Sequence, residues 1–244
     1  MPNWVYGHYA IKGPKKNVLS FLNEGVKNSG EKPKRSCKSA YKFLTAHAKT
    51  KESNFFLSDD KKRCGTKADT PAEIVLADGL TLDTFRPMPD TFKLYDTTNY
   101  AEKMPEIAKE QMNLYGCIGW YDWGLKYRGT KWNAVLKEVS FDENDDTATF
   151  KFDATTAWSY PEEWLRWVKS TFHVSVLLCV DEEGGAYCFY AELDGEQHDL
   201  EERPGKPNEG DFENDDAYWD TLYDWESECK DAMLGEFNDY VENW

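Results

Sequence analysis

Residues 3–26 read NWVYGHYAIKGPKKNVLSFLNEGV, a strand followed at once by a helix. Along Asn3–Lys12 the side chains alternate, with Trp4, Tyr6, His8 and Ala10 on one face and Val5, Tyr9 and Ile11 on the other. Successive side chains of a strand point to opposite faces, so large groups on both sides predict a strand partly buried on two faces. Gly13-Pro14 ends it, and Pro14 suits a helix start, where its missing N–H has no partner to lose. Val18, Leu22 and Val26 then recur every four residues beside Leu19 and Phe21, which predicts an amphipathic helix over 16–26.

Working outward, Leu80–Arg86 reads as a strand stopped by Pro87-Met88-Pro89, whose prolines cannot donate to a ladder. A helix is expected over 100–115, capped by Asn99 or beginning nearer Met104 because of Pro105. Trp120-Tyr121-Asp122-Trp123-Gly124 and Arg128-Gly129-Thr130-Lys131-Trp132-Asn133 read as aromatic loops. Ala148–Ala154 alternates as a strand, and Thr155–Pro161 turns into a helix over 162–171 that Ser159 can cap. Val174–Val180 and Ala186–Leu193 form a hairpin about an Asp/Glu/Gly turn at 181–185. Residues 194–214 read as a loop, and Tyr218–Trp244 as an acidic helix with an apolar stripe of Leu222, Cys229, Met233, Phe237 and Trp244, and room for a break at Gly235.

A helix between two strands of one sheet makes a split β-α-β unit. Its repetition predicts an α+β sandwich: a mainly antiparallel sheet with helices on one face, elaborated by a basic insert and an acidic C-terminal helix. Residues 1–195 form the expected domain, with the insert at 28–70, and 196–244 an acidic loop and helix packed on it.

The 244 residues carry 29 Lys/Arg against 45 Asp/Glu, a net charge of −16. Residues 1–70 hold a net +9, 71–193 a net −10 and 194–244 a net −15. A core is affordable, since 40% of residues are hydrophobic and ten are Trp, which excludes wholesale disorder. No apolar run approaches the roughly 18 residues of a membrane span, so no membrane partner is expected. Met1-Pro2-Asn3-Trp4 lacks a signal pattern. Cys37, Cys64, Cys117, Cys179, Cys188 and Cys229 show no Cys-x-x-Cys, so they read as reduced thiols of a cytoplasmic protein rather than zinc or iron–sulfur ligands. The basic segment 31–67 has three readings: a solvated insert with a short helix over 39–49, a phosphate-binding patch, or a strap on the acidic tail of the same chain.

Several segments, taken in order, resemble the Api92-like/YubB family of phages, plasmids and bacterial genomes. They are Pro2-Asn3-Trp4 with Ile11-Lys12-Gly13, Phe85-Arg86-Pro87-Met88-Pro89, Trp120-Tyr121-Asp122-Trp123 followed by Gly129-Thr130-Lys131-Trp132-Asn133, Phe152–Pro161, and Glu182-Glu183-Gly184. The resemblance implies a ferredoxin-like fold in the topological sense, without an iron–sulfur cluster, and it supplies no established activity.

The best site candidate is the aromatic region: Trp120, Trp123, Trp132 and Trp158, with Asp122, Thr130 and Lys131. Rings with a few fixed polar groups suit a ligand or partner site, and the competing reading is that the tryptophans lock two long loops onto the sheet, with Asp122 and Lys131 forming a loop salt bridge or capping backbone groups. Asp142, Asn144, Asp146 and Asp153 echo a calcium loop, but Thr147 stands where the bend needs Gly, so a turn is expected and no metal. His8, His47, His173 and His198 are scattered, and no nucleophile elbow, Walker loop or dinucleotide fingerprint occurs. No catalytic residue and no cofactor is therefore assigned. The acidic tail can imitate a row of phosphates for basic proteins, or serve as a solubilising surface. The expected function is a non-enzymatic interaction protein of a mobile element or its host, docking an acidic and aromatic surface on a partner protein, with an anti-defence role as an extension. The alternatives are a nucleic-acid-binding domain that uses the insert and the rings, and a small-molecule enzyme or binder around Trp120–Trp132.

Overall fold

A computed structural model of the chain describes residues 3–28, 55–57, 64–66, 80–93, 102, 104–183, 187–199, 205–212 and 215–244. Most of the basic insert, with the helix expected over 39–49, lies outside the described residues, as do Asn99, Gly184 and Gly185.

The architecture is α+β, built on a six-stranded antiparallel sheet of order β4-β5-β1-β6-β7-β8. Its central strand is β1 (Trp4–Pro14), followed directly by α1 (Lys15–Asn28). β1 pairs with β5 (Thr147–Ala157) from Trp4↔Ala157 to Pro14↔Thr147, and with β6 (Ser175–Glu182) from Val5↔Glu182 to Lys12↔Ser175. β4 (Leu136–Glu143) forms a hairpin with β5, and β7 (Cys188–Glu192) with β6, while β8 (Gln197–His198) adds a short edge. A separate ladder pairs β2 (Phe55–Leu57) with β3 (Cys64–Thr66).

Period-2 burial decides which helix covers which face. Val5, Tyr9 and Ile11 join Phe150, Phe152, Val176, Leu178 and Val180 in one core, beneath α1 and α6 (Glu162–Phe172). Phe21 of α1 stacks on Phe85 at 4.5 Å and meets Trp164 of α6 edge-on at 5.9 Å. The opposite face, with Ala10, Leu177, Cys179 and Tyr190, is covered by Met233, Phe237 and Val241 of α7 (Asp215–Asn243). Helices thus lie on both faces, not on the single face expected from the sequence: α1 and α6 share one, and the C-terminal helix takes the other because β1 and β6 carry apolar side chains on both sides. α7 runs unbroken through Gly235.

Three local readings change. Leu80–Arg86 is not a strand: Thr81 makes one bridge to Val135, and Leu82–Phe85 turns as α2. The threonines decide this, because the Thr81 N–H donates to Thr84 Oγ1 at 2.9 Å, as at a helix start. After the short α3 (Asp90–Lys93) and α4 (Pro105–Tyr115), which begins at Pro105 as its ring requires, the first aromatic loop is instead helix α5 (Gly119–Tyr127). Trp120, Trp123 and Tyr127 sit at helical spacing and pack around Phe92 and Cys117. β4 has no alternation to read because its ladder shifts between Lys137 and Ser140, where Glu138 takes a φ of 46°. The acidic Asp142–Asp146 run is the β4–β5 turn: Asn144 Oδ1 accepts from the N–H groups of Asp146 and Thr147 at 3.0 and 2.8 Å.

Two glycines should respond with opposite sign. A Cβ on Gly7 would fall 2.1 Å from the Tyr9 hydroxyl oxygen, whereas one on Gly235 meets nothing within 4 Å. Gly7→Ala is expected to destabilise by about 1–3 kcal/mol through overpacking, and Gly235→Ala to stabilise by about 0.5–1 kcal/mol through helix propensity. Urea unfolding reads both, and equal midpoints for the two variants would contradict this packing.

Candidate functional site

The loop after α5 is pinned before any of its side chains can act. Gly129 (φ 83°) lies against the start of α6, where a Cβ would stand 2.8 Å from Glu163 N. The Arg128 carbonyl accepts from Trp164 N at 3.2 Å, and the Ser159 hydroxyl donates to the Gly129 carbonyl. Ser159 therefore ties the loop down instead of capping α6, whose N-cap residue is Pro161. Arg128 forms a two-pronged pair with Asp83, Nε to Oδ1 at 2.8 Å and Nη2 to Oδ2 at 2.7 Å.

Three of the seven candidate residues are brought together on this base. Lys131 Nζ stands 4.5 Å from the Trp158 ring centroid, 4.7 Å from Trp132 and 5.9 Å from Tyr121. Trp132 leans on Trp4 at 5.8 Å, and Tyr121 meets Trp158 edge-on at 6.2 Å. Trp132, Trp158 and Tyr121 are each more than a third exposed, so the result is an open aromatic surface gathered around one ammonium. Trp158 holds a φ of 73°, uncommon for a bulky residue, and its N–H donates to Asn3 O at 2.8 Å.

The other four candidates go elsewhere. Trp123 is buried, stacked on Tyr127 at 5.3 Å with the Arg128 guanidinium 4.8 Å from its ring. Thr130 is fully buried, its hydroxyl donating to Ala157 O at 2.9 Å and accepting from Ala157 N at 3.2 Å. Trp120 packs beside the Phe92 cluster, and Asp122 is exposed on the first turn of α5, making no ion pair with Lys131. Lys131 turns to the rings instead. Tyr121 and Trp4 are the members that sequence reasoning left out. The helical spacing of 120, 123 and 127 could have shown that Tyr121 faces away from Trp123.

A second feature lies on the α7 side of the sheet. A cleft of about 270 Å³ is lined by Tyr6, His8, Cys179, Asp181, Cys188, Lys230 and Met233. Register places Asp153, His8 and Cys179 in one row across β5, β1 and β6. His8 Nδ1 lies 2.7 Å from Asp153 Oδ1, and Lys230 pairs with Asp181 at 2.9 Å. Burial, with Cys188 and Asp181 nearby, pushes the Cys179 thiol up to about 12, so it stays protonated at neutral pH and is no ready nucleophile. Spacing alone gave no sign of this cleft, because its walls come from three strands and a helix distant in sequence.

Among solved structures, the chain is similar to protein api92 from Yersinia pseudotuberculosis. The match covers 78% of this chain and 93% of that one, at 11% identity and a TM-score of 0.30. No family model and no curated protein matches the chain. No helix among the described residues is long and apolar enough to cross a membrane.

Two measurements check these sites. Lys131→Met removes the charge that holds the rings and should cost about 0.5–1 kcal/mol in a urea melt, with altered Trp emission. An unchanged spectrum would mean that the rings do not need the ammonium. The second is alkaline stability. Burial raises the Tyr9 hydroxyl well above its ordinary 10.0 and lifts Tyr160 and Tyr187, like the Cys179 thiol, to about 12. The unfolded chain gives up these protons first, near 9.0 for Cys and 10.0 for Tyr. Their contribution to stability is therefore complete below about pH 9 and is lost as the pH rises towards 12. The urea midpoint should fall between pH 9 and 11, with a late rise in tyrosinate absorbance that coincides with unfolding.

Proposed function

We propose that the chain is a non-enzymatic interaction protein that docks an acidic, aromatic helix face on a basic partner protein. The observation that carries this reading is the first half of α7. Asp216, Asp220 and Asp224 follow at i, i+4 and i+8, which sets them in a row along the helix. Trp219 and Tyr223 form the adjacent row, 49% and 62% exposed, with ring centroids 6.3 Å apart. The residues that bind α7 to the sheet, Met233, Phe237 and Val241, all belong to its second half.

Over 215–243 the sequence has ten carboxylates and one lysine, Lys230. Such a charge row favours a partner of opposite sign and rejects nucleic acid, and exposed Trp and Tyr supply the buried contact area that charge alone does not. The aromatic surface around Lys131 is a second place where contact could be made.

The scaffold fits the same reading as a ferredoxin-like domain. What supports that is the order β4-β5-β1-β6, all antiparallel, with α1 and α6 packed in the core of one face. Kinship with the Api92-like/YubB family rests on the ordered motifs of the sequence, and a mobile-element or anti-defence setting rests on that kinship.

The test is capture of basic proteins by the immobilised full chain across a salt series, with three proteins compared: wild type, Trp219→Ser/Tyr223→Ser, and Asp216→Asn/Asp220→Asn/Asp224→Asn. A specific partner should be retained by wild type at physiological salt and released at several-fold higher salt. It should be lost from the ring variant and weakened in the charge variant. Equal capture by the ring variant would reduce the helix to a simple ion exchanger and overturn the proposal, as would preferential retention of DNA or RNA.

A further inference from the structure

On the opposite side of the sheet from α7, a groove of about 640 Å³ runs between α5 and α6, lined by Arg86, Lys126, Tyr127, Glu163, Arg166, Trp167, Lys169, Ser170 and Asp194. Four of these are cations in a chain whose net charge is −16. Two are already neutralised. Arg166 is clasped by Glu162, Glu163 and Asp194 at 2.6–3.0 Å. Lys169 donates to the Leu193 carbonyl and lies 3.8 and 3.6 Å from Glu192 and Asp194.

The other two are not. The Arg86 guanidinium is held between the rings of Tyr127 at 4.9 Å and Trp167 at 5.2 Å, and donates through Nη1 to Tyr127 O at 2.8 Å. Lys126 Nζ lies 5.7 Å from the same Tyr127 ring and donates to the carbonyls of Tyr115 and Gly116 at 3.0 and 3.1 Å. Among the described residues no carboxylate comes within ion-pair distance of either. Two like charges therefore share one ring with no anion between them. Burial lowers the Arg86 pKa from its ordinary value, and the opposing influence of Tyr127 and of the Glu163 carboxylate, itself paired with Arg166, offsets only part of that cost of holding a guanidinium partly out of water.

A bound anion would relieve both the repulsion and the lost hydration. The guanidinium has donors left over after its one carbonyl bond, in a planar fork that matches phosphate oxygens, and the ammonium adds a second point of attachment. We propose that this groove is a phosphate site, taking inorganic phosphate or the phosphate group of a small phosphorylated molecule between Arg86 and Lys126. It is independent of the docking face on α7.

The test is calorimetric titration of the full chain with inorganic phosphate and with pyrophosphate at low ionic strength. Wild type should bind both saturably with one site, and its melting temperature should rise with phosphate concentration. Lys126→Gln, at an exposed position, should weaken binding at least 5-fold and Arg86→Gln at least 10-fold, with thermal melts confirming that each variant folds. Lys137→Gln, on the exposed part of β4, should leave binding unchanged. Absence of saturable binding to either probe, wild-type affinity in Lys126→Gln, or binding of a single-stranded oligonucleotide but not of pyrophosphate would each overturn the assignment.

Discussion

β1 is hydrogen-bonded along both edges for most of its length, and that double pairing constrains the rest of the molecule. A strand in the middle of a sheet has no free edge and two faces to bury. Tyr9 and Ile11 look one way and Ala10 the other, each at most 1% exposed. One layer of helices cannot satisfy both directions. α1 and α6 cover the first face because they are the connections that follow β1 and β5 in the chain, and a helix that links two strands of a sheet packs on that sheet. The second face would leave Leu177, Cys179 and Tyr190 in water without a further element, and the second half of α7 supplies it.

An anionic helix laid on a sheet needs anchors that offset its charge. Lys230 reaches down to Asp181, and Lys12 donates to the Val241 carbonyl at 2.8 Å with its ammonium 5.9 Å from the Trp244 ring. Both contacts fall in the half of α7 that packs, beside Met233, Phe237 and Val241. The half that carries Trp219 and Tyr223 has Leu222 as its buried residue. One helix thus joins a structural segment to an exposed one. The cleft at His8 opens beside Lys230 and Met233, near the junction of the two.

The aromatic surplus divides in the same manner. Trp164 is fully buried and donates its indole N–H to the Leu82 carbonyl at 3.0 Å, and Trp123 fills a satellite cluster with Phe92 and Cys117. Trp132 and Trp158 remain at the surface and take Lys131 between them. Indoles can serve either end because each has a large apolar body and one donor. Arg86 repeats the arrangement with Tyr127 and Trp167, so cations on rings recur on both sides of α5.

How much was legible depends on how local the deciding interaction is. The β1–α1 unit, the start of α4 at Pro105, the β5–α6–β6 run and part of the apolar stripe of α7 (Leu222, Met233 and Phe237) were readable, because residue alternation, a four-residue recurrence and the missing proline N–H act within a few residues, whereas Trp244 stays exposed and Val241 is buried in its stead. That Thr130 and Trp123 of the candidate set turn inward was not readable, for the opposite reason. Their neighbours, Ala157 and Phe92, are some thirty residues away, and nothing in a Gly-Thr-Lys-Trp string says which side chain turns inward. The same holds for α5, where tertiary packing on Phe92 outweighed two glycines, and for β4, whose bulge erased its period. Composition and periodicity alone determined that this is an acidic α+β chain with a two-faced central strand, since those properties follow from each residue's own polarity and from backbone geometry. Which face α7 covers, which rings stay exposed, and where two cations meet without a carboxylate were decided only by the tertiary structure, because each depends on distances between segments that the linear order does not contain.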